Sequence, residues 1–391
     1  MRALIVNAGS SSLKLRVCEG PNARTETRDG ATSRAEGAGS QQSELGGEEE
    51  GDVVASEDLH AVDDSIGDAL ERFLDEAPAV DAAGHRVVHG GAEFERPILL
   101  DSSVDAGLSR LADLAPLHNP PALRAIHELR RLRPRLPQVV CFDTSFHAGM
   151  PARAATYALP ARWRTDWGIR RFGFHGLSHA WASRRGARLL DQPVAATRLV
   201  TAHIGAGASL AAVDGGRSVD TTMGFSPIEG LVMATRSGSV DPAAVLLAVR
   251  RGLGPDAVES SLERESGLFG LCGSSDLREV IRRVDAGDGA ASLAYDVYVH
   301  RLRASVAAMA VSLGRVDGLV FTGGAGEGSA RLRGDVCEGL APLGFSPLPT
   351  APEEDSGDRV ASFPGARPAV LVVIAREDLE IARAVWALLS G

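Results

Sequence analysis

The sequence predicts an α/β fold that is organised in two lobes. Short strands rich in valine, leucine and isoleucine alternate with segments of helical periodicity, which is typical of α/β proteins. The chain has 391 residues, more than one ordinary hydrophobic core holds, so about two domains are expected. A strand that leads into a glycine-rich turn occurs three times, which indicates a duplicated architecture with a cleft between its halves.

The first strand runs into the turn NAGSSSLK, residues 7 to 14, and then into a second strand. Residues 198 to 213 repeat this plan, and residues 319 to 332 form a strand, glycines and then a predicted helix. Glycine allows close approach of the backbone, so N–H groups and serine hydroxyls can converge on phosphate oxygens. One such turn is often only a hairpin. Three of them, together with Lys14, the sole lysine of the chain, favour anion binding.

Residues 19 to 52 differ from the rest of the chain because they are polar and rich in glycine, serine and glutamate. Such a segment buries too little apolar surface to offset the entropy of ordering it. We therefore expect a mobile polar insertion within residues 19 to 57, with a regulatory tail as the alternative.

A long helix is predicted over residues 291 to 313, with Gly314 as its stop signal. Its apolar residues recur at intervals of three or four, the spacing of one buried face. The residues of this face are Tyr295, Val299, Leu302, Val306, Met309 and Leu313.

Composition limits the function classes. The net charge of -10 leaves no basic excess for binding nucleic acid along its backbone. The four cysteines are far apart and form no C-x-x-C pair, so neither a disulfide framework nor a zinc site is expected. Because no apolar stretch is long enough for a signal peptide or a membrane span, we expect a cytoplasmic protein without a membrane partner.

Histidines and arginines cluster in the middle of the sequence. Eight of the ten histidines lie between His85 and His203, and most of them, including His118, His147, His179 and His203, are expected to be nearer to structural. Arg86 and Arg236 lie beside apolar or glycine-rich neighbours, where an arginine must pair with an anion.

Together these stretches resemble the acetate kinase family. The resemblance extends from the first residues to AREDLEIARAVWALL at the end and omits only the acidic insertion. The motifs that carry it are NAGSSSLK, GHRVVHGG, PLHNPPAL, FDTSFH, GFHGLSH, SVDTTMGFSPIEGLVMATRSGSVDP and SSDLR. Their order and number make an accidental match implausible.

The resemblance implies the fold of the acetate and sugar kinase, Hsp70 and actin superfamily, in which each lobe has a ribonuclease-H-like mixed β-sheet flanked by helices. The expected lobes are residues 1–150 completed by the helix 376–391, and residues 151–375 with the nucleotide-binding motifs. It also implies a homodimer and Mg²⁺-dependent phosphoryl transfer, with Mn²⁺ as a possible substitute, from ATP to a short carboxylate. ADP and an acyl phosphate are the products, and acetate is the expected acceptor.

The resemblance also implies the site residues. The catalytic group is Arg86, Asp143, His175 and Arg236. The substrate-binding residues are Arg86 with the apolar wall of Val88, Leu117, Phe174 and Pro227. The metal-linked residues are Asn7 and Glu377. The nucleotide-binding residues are Lys14, His203, Ile204, Gly205, Ala206, Gly207, Asp276, Leu277, Arg278, Gly324, Ala325, Gly326, Glu327 and Gly328.

Simpler structural roles are open for two of these residues. Asp143 could cap a turn through its side chain. Glu377, together with Asp378, could be an acid at the start of the C-terminal helix, where negative charge is favourable.

Several positions depart from the family pattern. Ala206, Ala325 and Gly328 stand where the family usually has polar or larger residues, Leu177 replaces a threonine, and residues 375–378 differ from the usual TNEE. These changes leave three hypotheses open. The chain is an ATP-dependent acetate kinase, a relative that uses propionate, butyrate or pyrophosphate, or a nucleotide-binding protein without turnover. The third hypothesis is opposed by the retention of all five polar residues that the chemistry needs, which are Arg86, Asp143, His175, Arg236 and Glu377.

Overall fold

The structure is a computed structural model, and it describes residues 1–9, 12–20, 51–60, 66–111, 119–349 and 357–390. Its strands are β1 (Arg2–Ala8), β2 (Ser12–Glu19), β3 (Asp52–His60), β4 (Ala82–Val87), β5 (Ile98–Leu99), β6 (Gln138–Phe142), β7 (Arg198–Ile204), β8 (Ala208–Asp214), β9 (Arg217–Thr221), β10 (Gly318–Thr322), β11 (Arg359–Val360) and β12 (Ala369–Val372). Its α-helices are α1 (Ile66–Glu76), α2 (Ser102–Arg110), α3 (Asn119–Leu132), α4 (Ala152–Ala155), α5 (Ala161–Thr165), α6 (Gly176–Leu189), α7 (Pro242–Arg250), α8 (Pro255–Arg264), α9 (Gly267–Cys272), α10 (Leu277–Asp285), α11 (Gly289–Leu313), α12 (Gly324–Gly328), α13 (Ala330–Glu338) and α14 (Glu377–Leu389).

The strands form two six-stranded sheets with the same topology. The first has the order β3-β2-β1-β4-β6-β5, and the second, read in the matching direction, has the order β9-β8-β7-β10-β12-β11. In each sheet a three-stranded antiparallel meander is followed by two parallel strands and an antiparallel edge strand. The predicted α/β class and the duplicated mixed sheets of the actin-like superfamily are confirmed.

By their internal contacts the residues form two units. Unit 1 comprises residues 1–142 and 377–391, and unit 2 comprises residues 143–376. The start of unit 2 differs from the expected boundary at residue 150. The reason is the short 3₁₀ turn Ser145–His147, which packs on β9 and α6.

Unit 1 packs helices on both faces of its sheet. One face of β1 and β2 contributes Leu4, Val6, Leu13 and Leu15 to a buried cluster with α1 and α3. On the other face, α14 packs against β1 and β4. It comes so close that a Cβ on Gly84 would lie 2.5 Å from Ile381 Cγ2. Only glycine fits at that point, and the close packing sets the height of the first turn of α14 above the sheet.

Unit 2 is built in the same way. Helix α6 packs on β7 and β10, while α11 packs on β7, β8 and β9. All six residues predicted for the buried face of the long helix are buried in α11. Gly314 caps the helix with φ 71°, a left-handed conformation that glycine adopts without strain. The predicted helix and its stop signal are confirmed.

The expected insertion of residues 19 to 57 is wrong at both ends. Glu19 belongs to β2, and residues 52 to 57 belong to β3, which pairs with β2 along its length. The segment 52–59 alternates between more and less exposed positions, the pattern of an edge strand with one face on a core. The stretch 21–50, which carries most of the polar composition, lies outside the described residues.

Candidate active site

In unit 1, two residues from distant parts of the sequence meet at Arg86. Asn7 and Arg86 lie near the carboxyl ends of the parallel strands β1 and β4, and Glu377 is the first residue of α14. Arg86 Nη1 donates to Oδ1 of Asn7 over 3.3 Å, and Nε of Arg86 lies 3.7 Å from Oε2 of Glu377. The two residues that the resemblance links to a metal thus both contact the guanidinium of Arg86. Glu377 is also a first-turn acid of α14, so its helical role holds as well.

Lys14 lies beside this group. It is directly opposite Asn7 in the antiparallel pair of β1 and β2, so the two side chains leave the same face of the sheet. Lys14 is exposed and Val88, just after β4, is partly buried. Leu117, expected in the apolar wall, lies outside the described residues, as does His118.

In unit 2, two side chains converge on the second glycine-rich turn. A Cβ placed on Gly207 would lie 3.3 Å from Nη1 of Arg236 and 3.3 Å from Nε2 of His175. Gly205 N–H donates to the carbonyl oxygen of Gly207 over 3.0 Å, which closes the turn, and Ala206 is exposed at its tip. The missing side chain at Gly207 therefore leaves room where a cationic group and an imidazole meet.

His175 is held in an unusual conformation. It precedes α6 with φ 56°, a left-handed conformation that costs a residue other than glycine about 1–3 kcal/mol. Its Nδ1 lies 2.9 Å from Ser209 Oγ, and its ring stacks on His203 at 4.3 Å between centroids. His203 in turn bonds to Ser178 Oγ over 2.7 Å. Such strain is expected where the surrounding structure fixes a functional side chain.

Asp143 and Phe174 are buried on either side of this segment. Asp143 is 1% exposed, and its carbonyl oxygen accepts a 2.9 Å hydrogen bond from Gly176 N–H. A Cβ on Gly176 would collide with that oxygen, so glycine is required. The carbonyl oxygen of Phe174 accepts from His147 over 3.0 Å. These contacts fix the backbone on both sides of His175.

Arg236 is a partly buried cation, with its side chain 19% exposed. Burial lowers the pKa of its guanidinium, and the nearby Glu263 carboxylate, 3.9 Å from Nε, opposes that effect. Its Nη1 donates to the carbonyl oxygen of Pro227 over 3.3 Å. Pro227, expected in the apolar wall, and Arg236, expected in the catalytic group, are therefore in direct contact.

The third glycine-rich turn begins a short helix, as expected. Gly324, Ala325, Gly326, Glu327 and Gly328 form α12 directly after β10. Oε1 of Glu327 accepts from Gly323 N–H over 2.7 Å and from Ala375 N–H over 2.9 Å. This carboxylate oxygen ties the turn to the segment before α14, which supports a structural role for Glu327. Arg333 holds the other end of α12 through the carbonyl oxygens of Gly326 and Glu327.

The remaining nucleotide candidates have clear local roles. Asp276 caps α10 by accepting from Arg278 N–H over 2.9 Å, and it pairs with the Arg278 guanidinium over 2.7 Å. The Arg278 side chain is 91% exposed, and Leu277 is buried. Ile204 is the buried last residue of β7.

Several residues of the site were not anticipated from the sequence. Ser178, Ser209 and Thr201 bond to histidines, and Glu263 faces Arg236. One signal was present, because His175 and His179 are four residues apart and such positions share a helix face. His147 and His179, which are expected to be structural, are both buried and hydrogen-bonded.

The donor chemistry around Arg86 fits a hard divalent cation. Asn7 and Glu377 offer an amide oxygen and a carboxylate oxygen, the ligand types that Mg²⁺ prefers. Within the described residues there is no group of three or more histidine, cysteine, aspartate or glutamate side chains that could hold a metal. No helix in the described part of the chain is long and apolar enough to cross a membrane.

Comparison with known proteins identifies the family. Residues 2–383 match the model of the acetokinase family. The acetate kinase of Synechococcus sp. (strain JA-2-3B'a(2-13)) is 43% identical over 403 residues, which cover 100% of both chains. The crystal structure of Porphyromonas gingivalis acetate kinase superposes with a TM-score of 0.85 at 32% identity and covers 99% of each chain. A propionate kinase from Francisella tularensis subsp. tularensis SCHU S4 gives 0.82 at 32% identity over 98% of each chain. The chain therefore belongs to the acetokinase family, and it is a phosphotransferase whose acceptor is a carboxyl group.

Proposed function

We propose that the chain transfers the γ-phosphoryl group of ATP to acetate, giving acetyl phosphate and ADP, and that it catalyses the reverse reaction. The observation that carries this proposal is the convergence of Arg236 Nη1 and His175 Nε2 on Gly207. A guanidinium and an imidazole that meet at a glycine-rich turn suit a phosphoryl group, whose charge lies on its oxygens.

The reaction brings two anions together, so catalysis depends mainly on positioning and on neutralising charge. In this proposal Arg236 and His175 donate hydrogen bonds to the oxygens of the phosphoryl group in flight. Burial of Arg236 strengthens its electrostatic effect, since few water molecules screen it. Asp143 is assigned to the same group, because its carbonyl oxygen holds Gly176, the residue that follows His175.

Arg86 binds the carboxylate of the acceptor. Its guanidinium already contacts Asn7 and Glu377, which hold the planar donor group in one orientation. Planar, two-donor recognition of a carboxylate is the geometry that arginine provides and lysine does not.

Mg²⁺, with Mn²⁺ as a substitute, is the proposed metal. Asn7 and Glu377 would hold it through their oxygen atoms, with phosphate oxygens and water as further ligands. When bound, the ion supplies positive charge that stabilises the negative charge on the transferring phosphate.

The preference among carboxylates of different length is set by the apolar wall, which consists of Val88, Leu117, Phe174 and Pro227. Phe174 is buried, and Val88 and Pro227 are partly buried. One methylene group in such a wall changes discrimination by about 1–3 kcal/mol, so acetate is preferred rather than exclusive. Propionate, followed by butyrate, is the second candidate, and the likeness to a propionate kinase supports it.

The glycine-rich turns of unit 2 are proposed to bind the nucleotide, and Lys14 of unit 1 is proposed as a further nucleotide-binding residue. Ala206, Ala325 and Gly328 lack the polar groups usual for the family, and Gly324 and Gly328 are exposed at α12. Pyrophosphate is therefore the alternative donor to ATP.

A homodimer is proposed from the surface of α7. None of its residues is buried, and its apolar side chains are among the exposed ones. Leu246 and Leu247 are each 52% exposed, and Val249 is 45% exposed. A second copy of the chain would cover this apolar face. The Leu246→Glu variant should shift the mass measured by light scattering from dimer to monomer, whereas Val311→Glu on the exposed surface of α11 should not. We propose a cytoplasmic location, consistent with four free cysteines.

One experiment tests the activity. The purified protein is incubated with acetate, propionate or butyrate and with ATP, GTP or pyrophosphate, and acyl phosphate is trapped as the hydroxamate. We expect the highest rate with acetate and ATP. A higher rate with propionate would make propionate the acceptor, and a higher rate with pyrophosphate would make pyrophosphate the donor. If no pair gives a product, the hypothesis of a nucleotide-binding protein without turnover remains.

A further inference from the structure

Four polar side chains form a continuous hydrogen-bonded chain that ends at His175. Thr201 Oγ1 lies 2.8 Å from Nδ1 of His179, and Nε2 of His179 lies 2.8 Å from Ser209 Oγ. The same Ser209 oxygen lies 2.9 Å from Nδ1 of His175. Thr201, His179 and Ser209 are each 0% exposed, so bulk water does not exchange with these bonds.

The middle member of the chain is neutral. Burial lowers the pKa of His179 well below its ordinary value, and the neighbouring His147 and His203 add to that effect. A neutral imidazole has one N–H and one lone pair, so His179 donates to one hydroxyl and accepts from the other. Among the described residues, Ser209 Oγ bonds only to these two imidazoles, so when it accepts from one it donates to the other. The hydrogen bonds between Thr201 and His175 therefore all run in one direction, either toward His175 or away from it.

The nearby His147 shows how such a pair is ordered. Its Nε2 lies 3.0 Å from the carbonyl oxygen of Phe174, which can only accept, so Nε2 carries the proton. Burial lowers the pKa of His147 to about 4, so the ring is neutral and its Nδ1 accepts from the hydroxyl of Ser218 over 2.7 Å. The Ser218 hydroxyl thus donates a hydrogen bond to Nδ1 of His147.

Two observations give the direction of the longer chain. If Thr201 did not donate to His179, its alternative acceptor would be the carbonyl oxygen of Ala211 at 3.5 Å, the outer limit of a hydrogen bond. The Thr201 hydroxyl therefore donates a hydrogen bond to Nδ1 of His179. It follows that Nε2–H of His179 donates to Ser209 Oγ, and that the Ser209 hydroxyl donates to Nδ1 of His175. In addition, Arg236 Nη1 and His175 Nε2 approach the same point at Gly207, and a neighbouring cation disfavours a second positive charge on the imidazole.

We propose that Thr201, His179 and Ser209 are positioning residues whose one-way hydrogen-bond chain holds His175 as the neutral tautomer with the proton on Nε2. His175 then presents a fixed N–H donor to the transferring phosphoryl group, and Arg236 supplies the charge. This step rests on the proposed function, since it needs a phosphoryl group beside Nε2. The tautomer itself is a property of the protein without substrate.

Nitrogen NMR on protein labelled with ¹⁵N-histidine tests the tautomer directly. Loss of signals in His175→Gln and His179→Gln assigns the two rings. At neutral pH we expect both rings to be protonated at Nε2 only, with Nδ1 of His175 shifted as an acceptor of a hydrogen bond. A proton on Nδ1 of His175, in either the other tautomer or the imidazolium, would overturn the proposal, whether or not the protein forms acyl phosphate.

Four variants test the hydrogen-bond chain. Ser209→Ala should move the Nδ1 resonance of His175 toward that of a free lone pair, whereas Ser218→Ala should move only that of His147. An unchanged His175 resonance in Ser209→Ala would contradict the chain. Thr201→Val removes the hydroxyl at nearly constant volume, and Thr201→Ser retains it.

Kinetic measurements connect the hydrogen-bond chain to the reaction. We expect kcat for acyl phosphate formation to fall about tenfold in Thr201→Val and by less than about threefold in Thr201→Ser, with KM for acetate nearly unchanged in both. Equal kcat values for the valine and serine variants would show that the hydroxyl has no such role. If no acyl phosphate forms even in the wild type, the proposed function fails, and the NMR result alone decides the tautomer.

Discussion

Nε of Arg86 lies 3.7 Å from Oε2 of Glu377, although the two residues are 291 positions apart in the sequence. The contact exists because α14, the last helix of the chain, returns to the sheet that β1 and β4 form. Gly84 allows α14 to approach the sheet closely, so the first residue of α14 meets the end of β4. The C-terminal helix is thus part of the structure that orients Arg86, the residue proposed to bind the carboxylate of the acceptor.

The first prediction concerns Arg86. Arg86→Lys keeps the positive charge but loses the planar donor group, so we expect kcat/KM for acetate to fall about 10²-fold or more with little change in Tm. Steady-state kinetics and thermal melting measure the two effects. Arg72→Lys is the matched control, because Arg72 pairs with Glu57 at the surface over 2.8 Å. Near-normal turnover of Arg86→Lys would remove Arg86 from the site.

A second prediction concerns Gly207. Its φ is not in the left-handed region, so Gly207→Ala strains the backbone little, yet its methyl group lies 3.3 Å from both Arg236 and His175. We expect activity to fall about tenfold or more at unchanged Tm. Gly334→Ala is the control, because a Cβ at Gly334 meets no atom within 4 Å. Wild-type activity in Gly207→Ala would mean that the space beside this turn is not used.

The third prediction concerns Lys14. Because its side chain is exposed, Lys14→Ala should leave Tm almost unchanged, while nucleotide affinity falls clearly. Lys14→Arg should restore only part of the affinity, since a forked guanidinium replaces a compact charge. Calorimetric titration with ADP measures both variants. If both bind ADP as the wild type does, Lys14 is only a solvated residue of β2.

The fourth prediction concerns acid stability. Burial lowers the pKa of His85 to about 4, against an ordinary value of 6.5, while Gln138 bonds to its Nε2 over 2.8 Å. Between these two pH values the unfolded chain binds the extra proton, so stability falls as the pH is lowered from about 6.5 to about 4. The contribution is on the order of 3 kcal/mol at the acid end.

His85→Gln supplies an amide in place of Nε2 and carries no titrating group. Chemical denaturation across this pH range should therefore give a shallower loss of stability for His85→Gln than for the wild type. Parallel curves would show that His85 does not contribute to acid unfolding.

Parts of the fold follow from local sequence and parts do not. The buried face of α11 was predictable because its apolar residues repeat at helical spacing, and Gly314 marks its end. The strand β3 was missed because polar residues dominate its sequence and only pairing with β2 makes it a strand. Edge strands of this kind are decided by tertiary context rather than by intrinsic preference.

The candidate site shows the same division. Asn7 and Glu377 were expected together, and both contact Arg86. The chain through Ser209 and Thr201 could not be read from the sequence, because single hydroxyl residues on strands carry no recognisable pattern. Their role depends on α6 packing against β7 and on the contact of His179 in α6 with Ser209 in β8, which only the folded unit 2 provides.

Phosphorus NMR of the purified protein with acetate, ATP and Mg²⁺ tests the proposed reaction itself. We expect a growing acetyl phosphate resonance that matches the ADP formed, and loss of both signals in Arg236→Met. Consumption of ATP with inorganic phosphate as the only other product, or no consumption at all, would contradict the claim that this chain phosphorylates acetate.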